Sequence, residues 1–277
     1  MLDRSPTAAH RNEEITVIPA DSHVHSEFSW DARRNGGASM ELTCARAVEI
    51  GLPALAFTEH LDHTAWLDFT APPLDVDGYL ESVDRCRDLF PGLRILTGLE
   101  LGEPHWHAEP VAKILAGGRF ERVLGSLHSL PVPDGIAEAG SAYLLRPAAD
   151  VVRDYLTELP RLILGSDAFE ALTHIDYPAR RWPVDQGPFD PYAFEDEFRV
   201  ALRTLAGSGR ALEINTRLPL DPVIVGWWHQ EGGDAVTFGS DAHRPEDLAR
   251  GFPDAAAMAE AHGFRPGPRP FDWWSRA

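Results

Sequence analysis

Pro53-Ala54-Leu55-Ala56-Phe57-Thr58-Glu59-His60 is a short apolar run that ends in two side chains able to bind a metal or a proton. Such a run reads as a buried strand over residues 53–57. Upstream, Ser39 is a good N-cap for a helix with Leu42, Ala45, Val48 and Ile50 at apolar positions, and Gly51 lies just past its end. Downstream, residues 77–90 read as a helix closed by Pro91-Gly92, and residues 93–99 as the next strand. The unit recurs as helix 110–116, strand 122–125, helix 147–164 with Pro147 near its start, strand 168–172 and helix 189–206. Strand 211–214, helix 223–231, strand 235–238 and a last helix over about 254–262 complete it, and residues 16–20 form a strand ahead of the first helix. Strands alternating with helices in this way predict an α/β fold with a parallel sheet covered by helices, closed or nearly closed into a barrel. No Gly/Ser-rich linker divides the chain, so residues 15–277 are expected to form one domain behind a loose, polar tail of residues 1–14.

Every strand delivers a polar or metal-ligating side chain at its C-terminal end. In chain order these ends carry Asp21-Ser22-His23-Val24-His25, Glu59-His60, Glu100, Ser126-Leu127-His128, His174-Ile175-Asp176, Glu213-Ile214-Asn215-Thr216-Arg217 and Ser240-Asp241-Ala242-His243. Side chains alternate along a strand, so His23 and His25 point to one side, as do Asp241 and His243. Active sites of parallel barrels sit at this end. Buried imidazoles and carboxylates packed together without a cation would be costly, so the pattern points to a metal centre.

Composition narrows the partners. The 277-residue chain has a formal net charge of -18, which disfavours nucleic-acid backbones and anionic membranes. Local positive charge from metals would offset it for a small anionic substrate. Cys44 and Cys86 fall in apolar helical stretches and read as free buried thiols. No apolar run is long enough to span a bilayer and the N-terminus lacks the apolar segment of a signal peptide, so a cytoplasmic protein is expected. Nothing in the composition sets an oligomeric state.

The segments DSHVHSEFSWD (21–31), LAFTEH (55–60), GLELG (98–102), LGSLH (124–128), LTHID (172–176), EINTR (213–217) and GSDAH (239–243) together resemble the polymerase and histidinol phosphatase (PHP) family. The resemblance covers roughly residues 17 to 245, and the segments around His128 and EINTR are most similar to its histidinol-phosphate phosphatase branch. It implies a distorted (β/α)7 barrel holding two to three divalent transition-metal ions: Zn, Mn or Fe. Carried over by position, His23, His25, Glu100 and Asp241 would hold one ion. Glu100, bridging, with His128 and His174 would hold the second, and His60 with His243 the third. Family members often place a further His where this chain has Asp31, which can ligate through oxygen.

The resemblance implies a phosphomonoesterase acting on a small phosphorylated metabolite, with L-histidinol phosphate the first expectation. Attack would come from a hydroxide shared by two metals. Asp241, Glu100 and His243 are the candidate catalytic residues. Arg217, Arg180 and Asn215 are the candidates for holding phosphate, and Asp241 or a metal-bound water for protonating the leaving group. A PHP-type nucleotide or short-oligonucleotide phosphoesterase is the alternative, though no basic, aromatic-interleaved strip supports a long nucleic-acid track. An amidohydrolase would often need a carbamylated lysine at a strand end, and the sole lysine, Lys113, falls in an expected helix. A non-catalytic metal-binding module is the remaining reading.

Trp30, Trp66, Trp106 and Trp182 fall in loops at the expected site end, where Trp66 or Trp106 is expected to stack on a flat substrate group. Glu103 is expected to pair with a substrate ammonium, and His105 and His107 to line the pocket.

Overall fold

The computed structural model describes residues 18–32 and 39–277. The chain alternates β1 (Asp21–Val24), α1 (Met40–Glu49), β2 (Ala54–Asp62), α2 (Val76–Leu89), β3 (Arg94–Gly102), α3 (Ala108–Gly117) and β4 (Arg122–Ser126). A hairpin of β5 (Ser129–Val132) and β6 (Gly135–Glu138) interrupts the alternation. It resumes with α4 (Ala148–Gly165), β7 (Ala171–Leu172), α5 (Glu195–Gly207), β8 (Ala211–Asn215), α6 (Pro222–Gln230), β9 (Ala235–Gly239) and α7 (Phe252–Ala261). Two short strands follow, β10 (Phe264–Arg265) and β11 (Trp274–Arg276).

β1, β2, β3, β4, β7, β8 and β9 lie side by side in that order, each parallel to the next. The helices cover this sheet because each presents one apolar stripe to it. In α4, Val151, Val152, Tyr155, Leu156, Leu159, Leu162 and Ile163 are buried, at the three-to-four-residue spacing of one helix face. Ser39 caps α1 as expected, accepting from the amide of Leu42 at 3.4 Å.

The curled sheet meets itself between β9 and β1. At the start of β9 the free edge pairs antiparallel with β11, which carries β10 on its far side. Beyond the end of β9 the chain turns to β1 instead. Asp241 donates its amide to the carbonyl of His23 (2.8 Å), and His25 donates to that of Ala242 (2.9 Å). Asp21 reinforces this seam: one carboxylate oxygen accepts from the amide of Ser240 and the other from that of Ala249, both at 3.0 Å. Among the described residues, β1 and the β9 strand end are therefore joined at the C-terminal end of the barrel, where the ligand-type side chains emerge.

Several boundaries differ from the sequence reading. The first strand is Asp21–Val24 rather than 16–20; residues 18–20 belong to no ladder, and residues 16 and 17 lie outside the described part, as does the expected tail of residues 1–14. The apolar residues upstream suggested a strand there, whereas β1 buries polar side chains that are satisfied by the seam and the site. The expected strand 168–172 contracts to Ala171–Leu172. Helix 189–206 begins as a 3-10 turn, Pro191–Phe194, before α5. The β5–β6 hairpin and the β10–β11 pair were not anticipated. Lys113 lies in α3, away from any strand end. Among the described residues no helix is long and apolar enough to cross a membrane.

Candidate active site

The strand ends deliver their side chains to one point. Glu100, on β3 and 1% exposed, is the hub. Its Oε2 lies 3.0 Å from His60 Nδ1, 3.3 Å from His23 Nε2 and 3.4 Å from His25 Nε2. Its Oε1 lies 2.8 Å from His174 Nε2 and 3.2 Å from His128 Nε2. Asp241 Oδ1 is 3.4 Å from His25 Nε2, and Asp31 Oδ2 is 2.6 Å from His243 Nε2 and 3.5 Å from His60 Nε2. Burial would raise the Glu100 carboxyl, but His23, His60 and His128 outweigh it and hold the group well below the usual carboxylate range. Burial, then His243 and His60, push His25 down to about 3; burial and Arg180 bring His174 to about 4.

Among the described residues, three groups have ligand atoms within 4.8 Å of one another: His23, His25 and Glu100; His60, Glu100 and His128; and His25, His60 and His243. Hydrogen bonding leaves this cluster incomplete. Glu100 Oε2, His60 Nδ1, His243 Nε2 and Asp31 Oδ1 are all buried without a hydrogen-bond partner. Glu100 Oε2 and His60 Nδ1, both orphaned, face one another across 3.0 Å, which suits a divalent cation, and the mix of imidazole and carboxylate suits a transition metal. The residues fit such ions.

The clustered imidazoles are themselves held. Glu213 accepts from His23 Nδ1 at 2.6 Å and from the amide of His174 at 2.9 Å. Asp62 Oδ1 lies 2.9 Å from His128 Nδ1. His25 Nδ1 meets Ser29 Oγ at 2.9 Å, and that hydroxyl donates to Glu59 at 2.6 Å. In each case the partner on Nδ1 turns Nε2 inward, as histidine ligands to metals require. Gly239 makes room for one such pair, since a Cβ there would lie 2.1 Å from Glu213 Oε1 and 2.6 Å from His23 Cβ. Asp241 has φ 53, a left-handed conformation that costs a non-glycine residue on the order of 1 kcal/mol or more and that the seam hydrogen bond to His23 helps hold.

A profile of the PHP domain matches residues 21–217. The chain belongs to the PHP domain family. A histidinol-phosphatase of Lactococcus lactis subsp. lactis is 26% identical over 232 residues, covering 80% of this chain and 83% of its own. A Deinococcus radiodurans protein named "probable histidinol-phosphatase" is 29% identical over 250 residues, covering 85% and 90%. The crystal structure of the Lactococcus lactis histidinol phosphate phosphatase, complexed with Zn, L-histidinol and phosphate, superposes with a TM-score of 0.80 at 23% identity, over 92% of this chain and 98% of that one. The fold of this PHP domain is therefore the one expected.

Beside the cluster of the PHP domain lies a cavity of about 500 Å³ whose lining includes Glu100, His128, His174, Arg180, Arg217 and Asp241. Arg180 Nη2 donates to Asp241 Oδ2 at 2.7 Å and Asn215 Oδ1 at 3.0 Å, with its side chain 15% exposed. Arg217, 42% exposed, donates to Asp241 Oδ1 at 3.1 Å. Asn215 does not line the cavity. It is buried, its carbonyl accepts from Arg180 and from the Arg217 amide, and its own amide donates to Glu213.

Trp30, Trp66 and Phe69 form one wall. Trp106 is not part of it, and Trp182 packs against Tyr143, Phe189 and Phe194, with its indole N–H on the Gly187 carbonyl. Glu103 is unavailable to a substrate ammonium: it is fully buried and accepts from the amide of His128, the hydroxyl of Ser129 and the hydroxyl of Thr64. His105 meets Glu158 at 3.0 Å and His107 meets Thr64 at 2.8 Å, both away from the cavity lining. The sequence reading missed Asp62. The available signal was its position two residues beyond His60, on the same face of β2.

Proposed function

We propose that this PHP domain is a cytoplasmic phosphomonoesterase that uses two to three divalent transition-metal ions, Zn, Mn or Fe, to hydrolyse L-histidinol phosphate. The observation that carries this reading is the convergence of Glu100 with His23, His25, His60, His128 and His174 beside a cavity that holds two arginines and an aromatic wall. The names of its relatives and the ligands of the Lactococcus lactis structure support the choice of substrate.

His23, His25, Glu100 and Asp241 would hold one ion, Glu100, His128 and His174 a second, and His60, His243 and Asp31 a third. Bound divalent ions supply Lewis acidity toward phosphoryl oxygens and lower the pKa of water. Arg180 and Arg217 face the cavity from the Asp241 side and bind the phosphoryl oxygens. Asp241, gripped by both guanidiniums, sets their reach. Asn215 orients Arg180, and Trp30 and Trp66 receive the flat organic group. The deep burial of His23 and His25 keeps bulk water from the ligand side.

The test is hydrolysis of L-histidinol phosphate, a small aliphatic phosphate and a mononucleotide by protein loaded separately with Zn, Mn and Fe. Highest kcat/KM on histidinol phosphate is expected. No hydrolysis of any of them would sink the phosphatase reading, and equal rates on all three would sink the choice of substrate. In the same assay Trp66→Ala should raise KM for histidinol phosphate several-fold, from a stacking contribution on the order of 1 kcal/mol, whereas Trp106→Ala should leave it unchanged. Arg180→Gln should cost about 100-fold in kcat/KM, because it also strands the buried Asp241, and the more exposed Arg217→Gln about tenfold. Equal losses in the two arginine variants would count against this division of roles.

A further inference from the structure

Asp62 belongs to none of the three ligand groups, yet its side chain is wholly buried against them. One oxygen, Oδ1, lies 2.9 Å from His128 Nδ1. The other, Oδ2, accepts from the indole N–H of Trp30 at 2.9 Å and lies 3.4 Å from His60 Nδ1. Room for this carboxylate is built into the sheet: a Cβ on Gly102 would lie 2.0 Å from Asp62 Oδ1 and 3.4 Å from His128 Nδ1. Trp30 in turn is the centre of the aromatic wall, with ring centroids 4.9 Å from Phe69, 5.7 Å from Trp66 and 5.6 Å from His60.

From these contacts we infer that Asp62 is a positioning residue that couples the aromatic wall to the metal ligands: one carboxylate fixes both the Trp30 indole and the His128 imidazole. The inference rests on the metal-centre reading above. A carboxylate accepts two N–H donors at once with no donor of its own. An amide in its place meets one of the two with an N–H, whichever way it is turned. Histidine ligands depend on such partners, and their loss costs 10- to 100-fold in metal affinity as a rule. Coupling is reciprocal, so what loosens the indole also loosens the imidazole.

The experiment measures zinc affinity by competition with a chromophoric chelator, starting from metal-free protein, for wild type, Asp62→Asn, Trp30→Phe and Trp66→Phe. Thermal melting of each metal-free protein is recorded alongside. Trp30→Phe keeps a flat ring but removes the N–H on Asp62 together with one ring of the indole, a loss of bulk that Trp66→Phe shares. Trp66 donates instead to Ser129 at 2.8 Å and serves as the control. Asp62→Asn should weaken zinc by about 10- to 100-fold and Trp30→Phe by several-fold, with metal-free melting unchanged and Trp66→Phe like wild type. Wild-type zinc affinity in Trp30→Phe overturns the coupling, whether or not Asp62→Asn folds. An equal loss in Trp66→Phe also overturns it, because the wall as a whole would then be responsible. Failure of the wild type to bind zinc would overturn the metal-centre reading instead.

Discussion

Glu100→Gln should nearly abolish hydrolysis, with kcat/KM falling about a thousand-fold or more. Among the described residues Glu100 is the one carboxylate within 3.5 Å of five imidazoles, with His23, His25 and His60 on Oε2 and His128 and His174 on Oε1. Glutamine keeps the volume but replaces one of those oxygens with an N–H donor, aimed at nitrogens whose lone pairs must point inward. Removing one partner from a buried ionic cluster costs about 3–5 kcal/mol, and about 4 kcal/mol corresponds to three decades in rate. Asp31→Ala should cost far less, since among the described residues Asp31 meets two of the imidazoles, His60 and His243, and sits at the margin with 18% exposure. Steady-state kinetics on metal-saturated protein decide the matter. Comparable losses in the two variants would remove Glu100 from the bridging role.

Stripping the metals should eliminate activity and lower the melting temperature by about 8 °C. An ion that binds only the folded state, at a free concentration a thousand times its Kd, stabilises that state by about 4 kcal/mol. For a chain of this size each kcal/mol is worth about 2 °C. Dialysis against a chelator, followed by calorimetry and assay, tests this, and restoration by added Zn, Mn or Fe completes it. A stripped protein, shown metal-free by elemental analysis, that melts and turns over like the untreated one would contradict the metal reading.

The barrel and the convergence of its polar strand ends were legible because two rules act together. Apolar runs of strand length mark the sheet, and polar residues are tolerated at strand ends only where something satisfies them. His60, Glu100, His128 and His174 were thus placed by strand counting and residue type. The same logic misplaced the first strand, because Asp21 and His23 are buried polar residues whose satisfaction comes from Ser240, Ala249 and Glu213, more than 180 residues away in sequence. The β5–β6 hairpin carried a turn signal in Pro133-Asp134-Gly135, but its short strands, one containing Pro131, show little alternation. Trp106 and Glu103 follow the right strand for the site, but local hydrogen bonding decides where they face, and that is not encoded in residue type. Asp62 escaped for a different reason: the apolar run stops at Phe57, which left Asp62 in an expected loop, whereas β2 runs on to Asp62 and carries it beside His60.

The seam between β1 and the end of β9 bears on how the chain assembles. The contact between Asp21 and the amide of Ser240 closes a loop 219 residues long, and that between Asp21 and Ala249 one 228 residues long. Closing loops of that length carries a large entropy cost, and the two bonds to the Asp21 carboxylate with the two main-chain bonds beside them are a modest return on it. His23 and His25 stand on one bank of this joint and Asp241 and His243 on the other, so an ion held between them is a cross-link joining the two ends of the fold. A disulfide in that place would answer to redox potential. An ion in that place would answer to metal supply, and the integrity of the ring would rise and fall with the free ion concentration around it.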